Sequence, residues 1–233
     1  MAKKFTASYS GGKDSVLAVY RAIRQGYEAA ELVTTYNTDK NRSWFHGIPE
    51  TVLESVSDSL GIPVRLIKTA GEDYAKNFEK ALLRAKELGT EICVFGDIDI
   101  EDHHAWCSKR CRNVGIEPLF PLWGEDRKKL VYEFIDSGFI ANITVIDTSR
   151  MSADFLGQTL TRETVDCIAA QGADICGENG EYHTFVSAGP IFNKPIAFSF
   201  GEKMLVDGYA VLPIIRKVSD TAPSAFAGIT LKS

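Results

Sequence analysis

A glycine-rich segment near the start of the chain has the residue types and spacing of a phosphate-binding loop. The segment consists of Ser10, Gly11, Gly12, Lys13, Asp14 and Ser15. The glycines let backbone N–H groups approach an anion closely, and the serine hydroxyls can donate hydrogen bonds to phosphate oxygens. Asp14 would repel phosphate, so we interpret it as the N-cap of a following helix or as a ligand of the Mg²⁺ that accompanies ATP. Two glycines alone would equally suit a capped turn.

Two further segments place acids next to glycines. Gly96 and Asp97 follow an apolar run, where the glycine would let a nucleotide lie close to the backbone and Asp97 could orient Mg²⁺ or a substrate. A strand-end turn is an equally good interpretation. In the segment 177–186, Glu178 and Glu181 flank Gly180. Such acids could bind Mg²⁺, hold a substrate ammonium or take a proton from an attacking amine, and a polar hairpin turn is the alternative.

Histidines and cysteines supply the remaining candidates. His46 lies in a loop that faces the expected site, where it could contact the nucleotide, act as a base near neutral pH, or simply pack. His103, Cys107 and Cys111 recur every four residues on a predicted helix, as zinc ligands can. Because the two cysteines also continue a buried stripe, we favour a core role for them over metal binding.

Apolar runs that alternate with helical patterns must position these residues. The predicted strands are 4–9, 30–36, 64–67 and 92–95, and the helices between them begin near Asp14, Pro49 and Tyr74. This alternation predicts an α/β fold, with a parallel sheet, right-handed crossovers and helices on both faces. Ligands bind such sheets at the carboxyl ends of the strands, near a topological switch point. The loops of interest therefore follow Tyr9, Tyr36, Ile67 and Phe95.

The pattern changes after Pro121 and predicts a smaller second α/β domain. Its expected elements are helices at 128–137 and 161–170 and strands at 140–146 and 183–186. The predicted division is a nucleotide-binding domain at 1–122, a smaller acceptor-binding domain at 123–215, and a tail or oligomer arm at 216–233.

The bulk composition narrows the classes of function. The chain has 233 residues, is 45% hydrophobic and carries a net charge of −5, which disfavours nucleic acid as a partner. Five cysteines with wide spacing do not suggest a disulfide framework. No apolar stretch is long enough to cross a bilayer or to act as a secretory signal, so we expect no membrane contact and a cytoplasmic location.

The loop at 10–15, placed between a strand and an amphipathic helix, resembles the signature of the PP-loop, or N-type, ATP pyrophosphatases. These enzymes cleave ATP between the α and β phosphates and transfer AMP to a substrate oxygen. The resemblance implies that Ser10, Gly11, Gly12, Asp14 and Ser15 cradle the leaving pyrophosphate, and that these five residues and Lys13 bind ATP. It also implies a Rossmann-like domain with a smaller domain that closes over the site.

Three segments in order resemble the diphthine–ammonia ligase family within this group. They are Gly96-Asp97-Ile98, Pro121-Leu122-Trp123 and Gly177-Glu178-Asn179-Gly180-Glu181-Tyr182. The resemblance covers residues 4–195 and implies formation of an amide from ATP and ammonia, in that family on a modified histidine of translation elongation factor 2. The sequence departs from the family pattern at His183 and Ala188, where acids are expected, so a small metabolite remains a possible acceptor.

The sequence therefore predicts a two-step ligation. Asp14, Glu178 and Glu181 are the catalytic candidates, and His46, Gly96 and Asp97 join the loop in binding ATP with Mg²⁺. Because no glutaminase motif is present, nitrogen would come as free ammonia or from an amine donor. The alternatives are sulfur or nitrogen transfer to tRNA or to a small metabolite, and a nucleotide-binding regulator without catalysis.

Overall fold

A computed structural model describes residues 2–40, 42–43, 46–70 and 72–217. The first half contains a six-stranded sheet and four helices. Its strands are β1 (Lys4–Ser8), β2 (Glu28–Asn37), β3 (Arg42–Ser43), β4 (Val64–Thr69), β5 (Ile92–Val94) and β6 (Glu117–Leu119). Its helices are α1 (Lys13–Arg24), α2 (Glu50–Leu60), α3 (Tyr74–Glu87) and α4 (Glu101–Val114).

The strand order confirms the predicted parallel sheet. β1 pairs in parallel with β2 on one side and with β5 on the other, β2 pairs with β4, and β5 pairs with β6. Only the two-residue β3 is antiparallel, against the end of β2. The chain therefore adds β2 and β4 on one side of β1, and then returns to add β5 and β6 on the other side. This reversal makes the carboxyl ends of β1 and β5 the topological switch point.

Alternating side chains of the sheet enter two separate cores, one on each face. In β5, Ile92 and Val94 join the core that contains α1 and α2, whereas Cys93 joins the core that contains α3 and α4. This follows from the two-residue period of a strand. Cys107 and Cys111 lie in the second core, beside Cys93, as the core interpretation of these cysteines predicted.

The first helix begins one residue earlier than its predicted cap. Gly12 occupies the N-cap position of α1 and has no side chain that could cap the helix. The interpretation of Asp14 as the N-cap is therefore wrong. Asp14 lies in the first turn, where its carboxylate is still favoured by the positive end of the helix dipole.

The second half adds two small antiparallel sheets and two helices. Its strands are β7 (Ile140–Asp147), β8 (Tyr182–Ala188), β9 (Phe198–Phe200), β10 (Met204–Val206), β11 (Tyr209–Val211) and β12 (Ile214–Arg216). Its helices are α5 (Arg127–Asp136), α6 (Arg162–Ala170) and a short 3-10 turn (Ala153–Phe155). β7 pairs with β8 and β11, β11 pairs with β10, and β12 pairs with β9.

Arg216, the first residue of the predicted tail, belongs to the fold because it pairs with Phe198 in the last sheet. The rest of that predicted tail, from residue 218 onward, lies outside the described residues. The core on the α1 face is continuous across residue 122 and includes Phe134 and Phe185. The domain boundary at 122 stays a prediction. Within the described ranges, every helix is too short or too polar to span a bilayer.

Candidate active site

A cavity of about 720 Å³ lies where the segments following β1 and β5 meet the segment before β8. Eight of the residues predicted for the site line it: Ser10, Lys13, Asp14, Ser15, His46, Gly96, Asp97 and Glu178. Gly11 and Gly12 belong to the same loop without lining the cavity, and Glu181 does not line it. The topology therefore brings the segments at 10–15, 96–97 and 177–184 to one place.

The loop after β1 can adopt its shape only with glycine at its two central positions. Gly11 has φ of +82°, and a Cβ there would lie 2.5 Å from Ile48 Cδ1. A Cβ on Gly12 would lie 2.4 Å from His46 Cε1. Ser15 Oγ donates to the Gly12 carbonyl at 3.0 Å and lies 3.1 Å from Ser10 Oγ. These contacts hold the two hydroxyls at the positive end of α1, an arrangement suited to an anion.

Lys13 and Asp14 form an ion pair at the start of α1. Lys13 Nζ lies 2.8 Å from Asp14 Oδ2, and the lysine side chain is almost fully buried. Burial by itself lowers the pKa of Lys13, but the Asp14 carboxylate, together with Cys176 and Tyr182, more than offsets this, so the net pKa lies above its usual value. The cavity therefore keeps a fixed positive charge next to the loop.

Gly96 allows the segment after β5 to touch the backbone of α1. A Cβ at this position would lie 2.8 Å from both the Asp14 carbonyl carbon and the Ser15 nitrogen. The close approach brings Asp97 into the cavity, where Oδ1 lies 3.5 Å from His103 Nδ1 and Oδ2 lies 3.8 Å from Cys107 Sγ. Burial raises the pKa of Asp97, and His103 partly counteracts that rise.

The two glutamates of the third segment have different surroundings. Glu178 lines the cavity, and no side chain in the described part of the chain is hydrogen-bonded to its carboxyl group. Burial raises the pKa of Glu178 to about 7, and the Asp14 and Asp97 carboxylates add to this effect. Glu181 is only 6% exposed. Its Oε1 accepts from Asn179 Nδ2 at 3.2 Å, while Oε2 has no partner among the described residues. Of the two, only Glu178 can reach a ligand in the cavity.

His46 and His183 pack together beside the loop as neutral rings. Their centroids are 4.7 Å apart, and the Nδ1 of His46 lies 2.9 Å from the Thr184 carbonyl, to which it donates. Burial lowers the pKa of His46 to about 3, with His183 contributing. Burial, with Lys13 contributing, lowers the pKa of His183 to about 4. His46 is thus a poor base near neutral pH, and its contact with Gly12 supports the packing role.

Sequence reasoning missed Thr184 and the aromatic wall of the cavity. Thr184 Oγ1 accepts the Lys13 N–H at 3.0 Å, although the two residues are 171 positions apart. No local pattern could have revealed that contact. The wall consists of Tyr74, Phe78, Phe95 and Trp106. Phe78 and Phe95 belong to the second core and Trp106 packs against it, so core and cavity meet at this wall.

A glycine-rich loop between β1 and α1, at the switch point of a parallel sheet, is typical of the PP-loop class of proteins. Family models described as the diphthamide synthase N-terminal and C-terminal domains match residues 3–118 and 126–219. The chain belongs to the diphthamide synthase family, and the resemblance to diphthine–ammonia ligases is confirmed.

Curated relatives are similar along most of their length. The diphthine–ammonia ligase of Danio rerio is 23% identical over 229 residues, covering 88% of this chain and 90% of the relative. The Homo sapiens diphthine–ammonia ligase is 24% identical over 237 residues, covering 91% and 88%. A solved structure, a predicted subunit of tRNA methyltransferase from Methanocaldococcus jannaschii, is 19% identical with a TM-score of 0.44. It covers 83% of this chain and 100% of that chain.

Proposed function

We propose that this chain is an ATP-dependent ligase that converts a carboxylate of its acceptor into an amide and releases AMP and pyrophosphate. One observation carries the proposal: the phosphate-type loop and a carboxyl group with a near-neutral pKa, Glu178, line the same cavity. The loop would bind ATP, and Glu178 would accept a proton from the attacking ammonia.

The loop would hold ATP and stabilise its leaving group. An oxygen of the acceptor carboxylate attacks the α-phosphorus, the bond from the α-phosphorus to the bridging oxygen breaks, and pyrophosphate leaves. Lys13 and the hydroxyls of Ser10 and Ser15 line the side of the cavity where that charge develops. A break between the α and β phosphates, rather than loss of the terminal phosphate, is what the resemblance to the PP-loop enzymes implies.

The carboxylates suit Mg²⁺ that arrives with ATP better than a resident metal. No cluster of three or more metal-ligating side chains occurs in the described ranges. Mg²⁺ commonly uses one or two carboxylates together with substrate phosphates. Asp14 and Asp97 are the acids within and beside the loop, so they are the residues that would hold it. The ion would neutralise part of the phosphate charge.

Glu178 would act in the second step. Ammonia attacks the acyl carbon, AMP leaves, and the extra proton on nitrogen must be removed. A carboxyl group with a pKa near 7 is partly ionised at neutral pH and takes such a proton more readily than an ordinary glutamate. The space between Glu178 and the aromatic wall would hold the acceptor. We propose that the acceptor is a diphthine side chain, because diphthine appears in the names of the relatives.

The structure gives less support to sulfur transfer. Cys107 is the cysteine that lines the cavity, and burial raises the pKa of its thiol. A thiol with a raised pKa is a poor nucleophile, because the thiolate is the reactive form.

The reaction is tested by its products. Purified protein would be incubated with ATP, isotopically labelled ammonia and a translation factor that carries diphthine. We expect AMP, pyrophosphate and a labelled amide on the acceptor, measured by mass spectrometry. Formation of ADP in place of AMP would contradict the proposed reaction, and AMP without labelled amide would contradict the proposed nitrogen source.

Asp14→Asn tests the assignment of the loop. We expect AMP formation to fall by at least about tenfold, because the variant loses a carboxylate that would hold the Mg²⁺ arriving with ATP. The melting temperature should also fall, by the equivalent of about 1–3 kcal/mol, because Lys13 loses its charged partner. Asp58→Asn, at an exposed position on α2, is the control and should behave as wild type. Wild-type AMP formation by folded Asp14→Asn protein would count against the site.

A further inference from the structure

Arg127 connects the two acid-bearing segments of the cavity without lining the cavity itself. It is the first residue of α5, and the helix start is fixed by Asp126, whose side chain accepts the Lys129 N–H at 2.8 Å. The Nε and Nη2 atoms of Arg127 donate to the two carboxylate oxygens of Asp99, each at 2.7 Å. Its Nη1 atom donates to Asp174 Oδ2 at 2.5 Å.

Both carboxylates belong to the segments that carry the cavity acids. Asp99 is two residues beyond Asp97 in the segment after β5. Asp174 is four residues before Glu178, and its side chain accepts backbone N–H groups of the segment that follows. The Oδ1 atom accepts from Cys176 at 3.1 Å, and Oδ2 accepts from Glu178 at 3.0 Å. The backbone N–H of Glu178 therefore donates to the same carboxylate that Arg127 binds.

The geometry makes this network stronger than an ordinary surface ion pair. A planar guanidinium that meets one carboxylate with two donors and a second carboxylate with a third donor is directionally fixed. The side chain of Asp174 is only 12% exposed, and that of Arg127 is 27% exposed. By comparison, the bidentate pair of Arg162 and Asp136 is about half exposed on both sides and does not contact the cavity.

We propose that Arg127 is a positioning residue, which acts through Asp99 and Asp174 to hold Asp97 and Glu178 in register across the cavity. The proposal rests on the proposed function, because Glu178 must act on the attacking amine for its position to matter. Arg127 itself touches no reacting atom. Its loss would displace the segment that carries the proton acceptor, because that segment is bound to Asp174. Asp97 would keep its contacts with His103 and Cys107, so ATP binding at the loop would change little.

The test compares Arg127→Gln and Arg127→Lys with the matched control Arg162→Gln in the full chain. Three quantities are measured: kcat for amide formation, KM for ATP, and hydrogen exchange at the amides of Cys176 and Glu178. For Arg127→Gln we expect kcat to fall by about tenfold to 100-fold, with KM for ATP little changed and exchange at both amides faster. Arg127→Lys should be intermediate, because one ammonium cannot satisfy both carboxylates. Arg162→Gln should match wild type in all three.

Several results would overturn the proposal. One is a wild-type kcat for amide formation in Arg127→Gln, whether or not hydrogen exchange becomes faster. Another is a KM for ATP that changes by the same factor as kcat. Unchanged exchange at Cys176 and Glu178 would remove its structural basis. If wild-type protein makes no AMP, the proposed function fails, while the exchange comparison still decides whether Arg127 holds the segment.

Discussion

Burial gives single residues of this cavity their chemical character. Glu178 would be an ordinary surface acid in an open turn, but burial, with a contribution from the Asp14 and Asp97 carboxylates, raises its pKa to about 7. His46 responds in the opposite sense, because burial disfavours the charged form of either group. The sequence marked both residues as candidates. It could not separate Glu178 from Glu181, since that difference depends on which side chain faces the cavity.

Glu178→Gln should remove the pH dependence of amide formation. In wild-type protein we expect the rate to rise as pH increases through about 7, because only the carboxylate accepts a proton. The variant should be slower by about 100-fold and lack this rise. Rates of amide formation from about pH 5.5 to about pH 8.5, measured at saturating ammonia, would show this difference. Glu181→Gln is the comparison and should retain the rise; the reverse result would exchange the roles of the two residues.

The same substitution should alter stability in a pH-dependent way. The pKa of Glu178 is higher in the folded protein than its usual value of 4.5, so the folded state binds more protons between these two values. The contribution of Glu178 to the stability of the wild-type protein therefore declines as pH rises through about 7. Glu178→Gln should be more stable than wild type by about 1–3 kcal/mol at pH 8 and about equal at pH 4 in thermal unfolding. Lower stability of the variant at high pH would contradict the pKa.

At the scale of elements, the phosphate-type loop depends on a strand from the other half of the chain. β8 accepts the Lys13 N–H through Thr184, and its Val186 N–H donates to the Gly11 carbonyl at 2.9 Å. The loop is thus held on one side by its own helix and on the other by β8. This arrangement makes the conformation of the loop a property of two elements rather than of the glycine pattern alone.

Thr184→Val should weaken ATP binding while preserving the shape of the side chain. The first N–H of α1 would lose its acceptor, which costs about 1–3 kcal/mol in the unliganded protein. We expect a lower melting temperature and a higher KM for ATP, measured by thermal unfolding and initial rates. Thr184→Ser keeps the hydroxyl and should restore most of both properties. Wild-type behaviour of Thr184→Val together with losses in Thr184→Ser would show that the methyl group, not the hydrogen bond, matters.

The longer elements were predictable because their patterns are long enough to repeat. Helices α1, α2 and α3 span several turns with apolar residues on one face, and Gly61 ends α2 in the left-handed conformation expected of a helix stop. Strands β6 and β9 to β12 were missed; each has three residues, as does β5, which was predicted as part of the longer apolar run at 92–95. Three residues show barely one alternation, which also occurs in loops.

At the scale of the whole molecule, the two halves share a core and several direct contacts. Tyr20 of α1 packs edge-on against Phe139 at 5.4 Å, and Arg21 donates to Glu133 at 2.9 Å. The sequence predicted the parallel sheet of the first half and a smaller α/β second half, and the division between them at residue 122 stays a prediction. It could not predict how they pack, because contacts between distant residues leave no local period.

This shared core predicts cooperative unfolding. The full chain should unfold in one transition, with the same midpoint by circular dichroism and by tryptophan fluorescence. Residues 1–122 alone should show no cooperative transition, because the apolar face of α1 would be exposed to water. A stable, cooperatively folding fragment of 1–122 would instead show that the predicted boundary separates independent units.

The contact between Gly12 and His46 ties two distant positions in the evolution of this chain. The imidazole occupies the volume that any side chain at position 12 would need. A relative can therefore acquire a side chain at position 12 only after a smaller residue has replaced the histidine at position 46. The two positions should co-vary across descendants of a common ancestor, and the order of replacement should begin at the histidine.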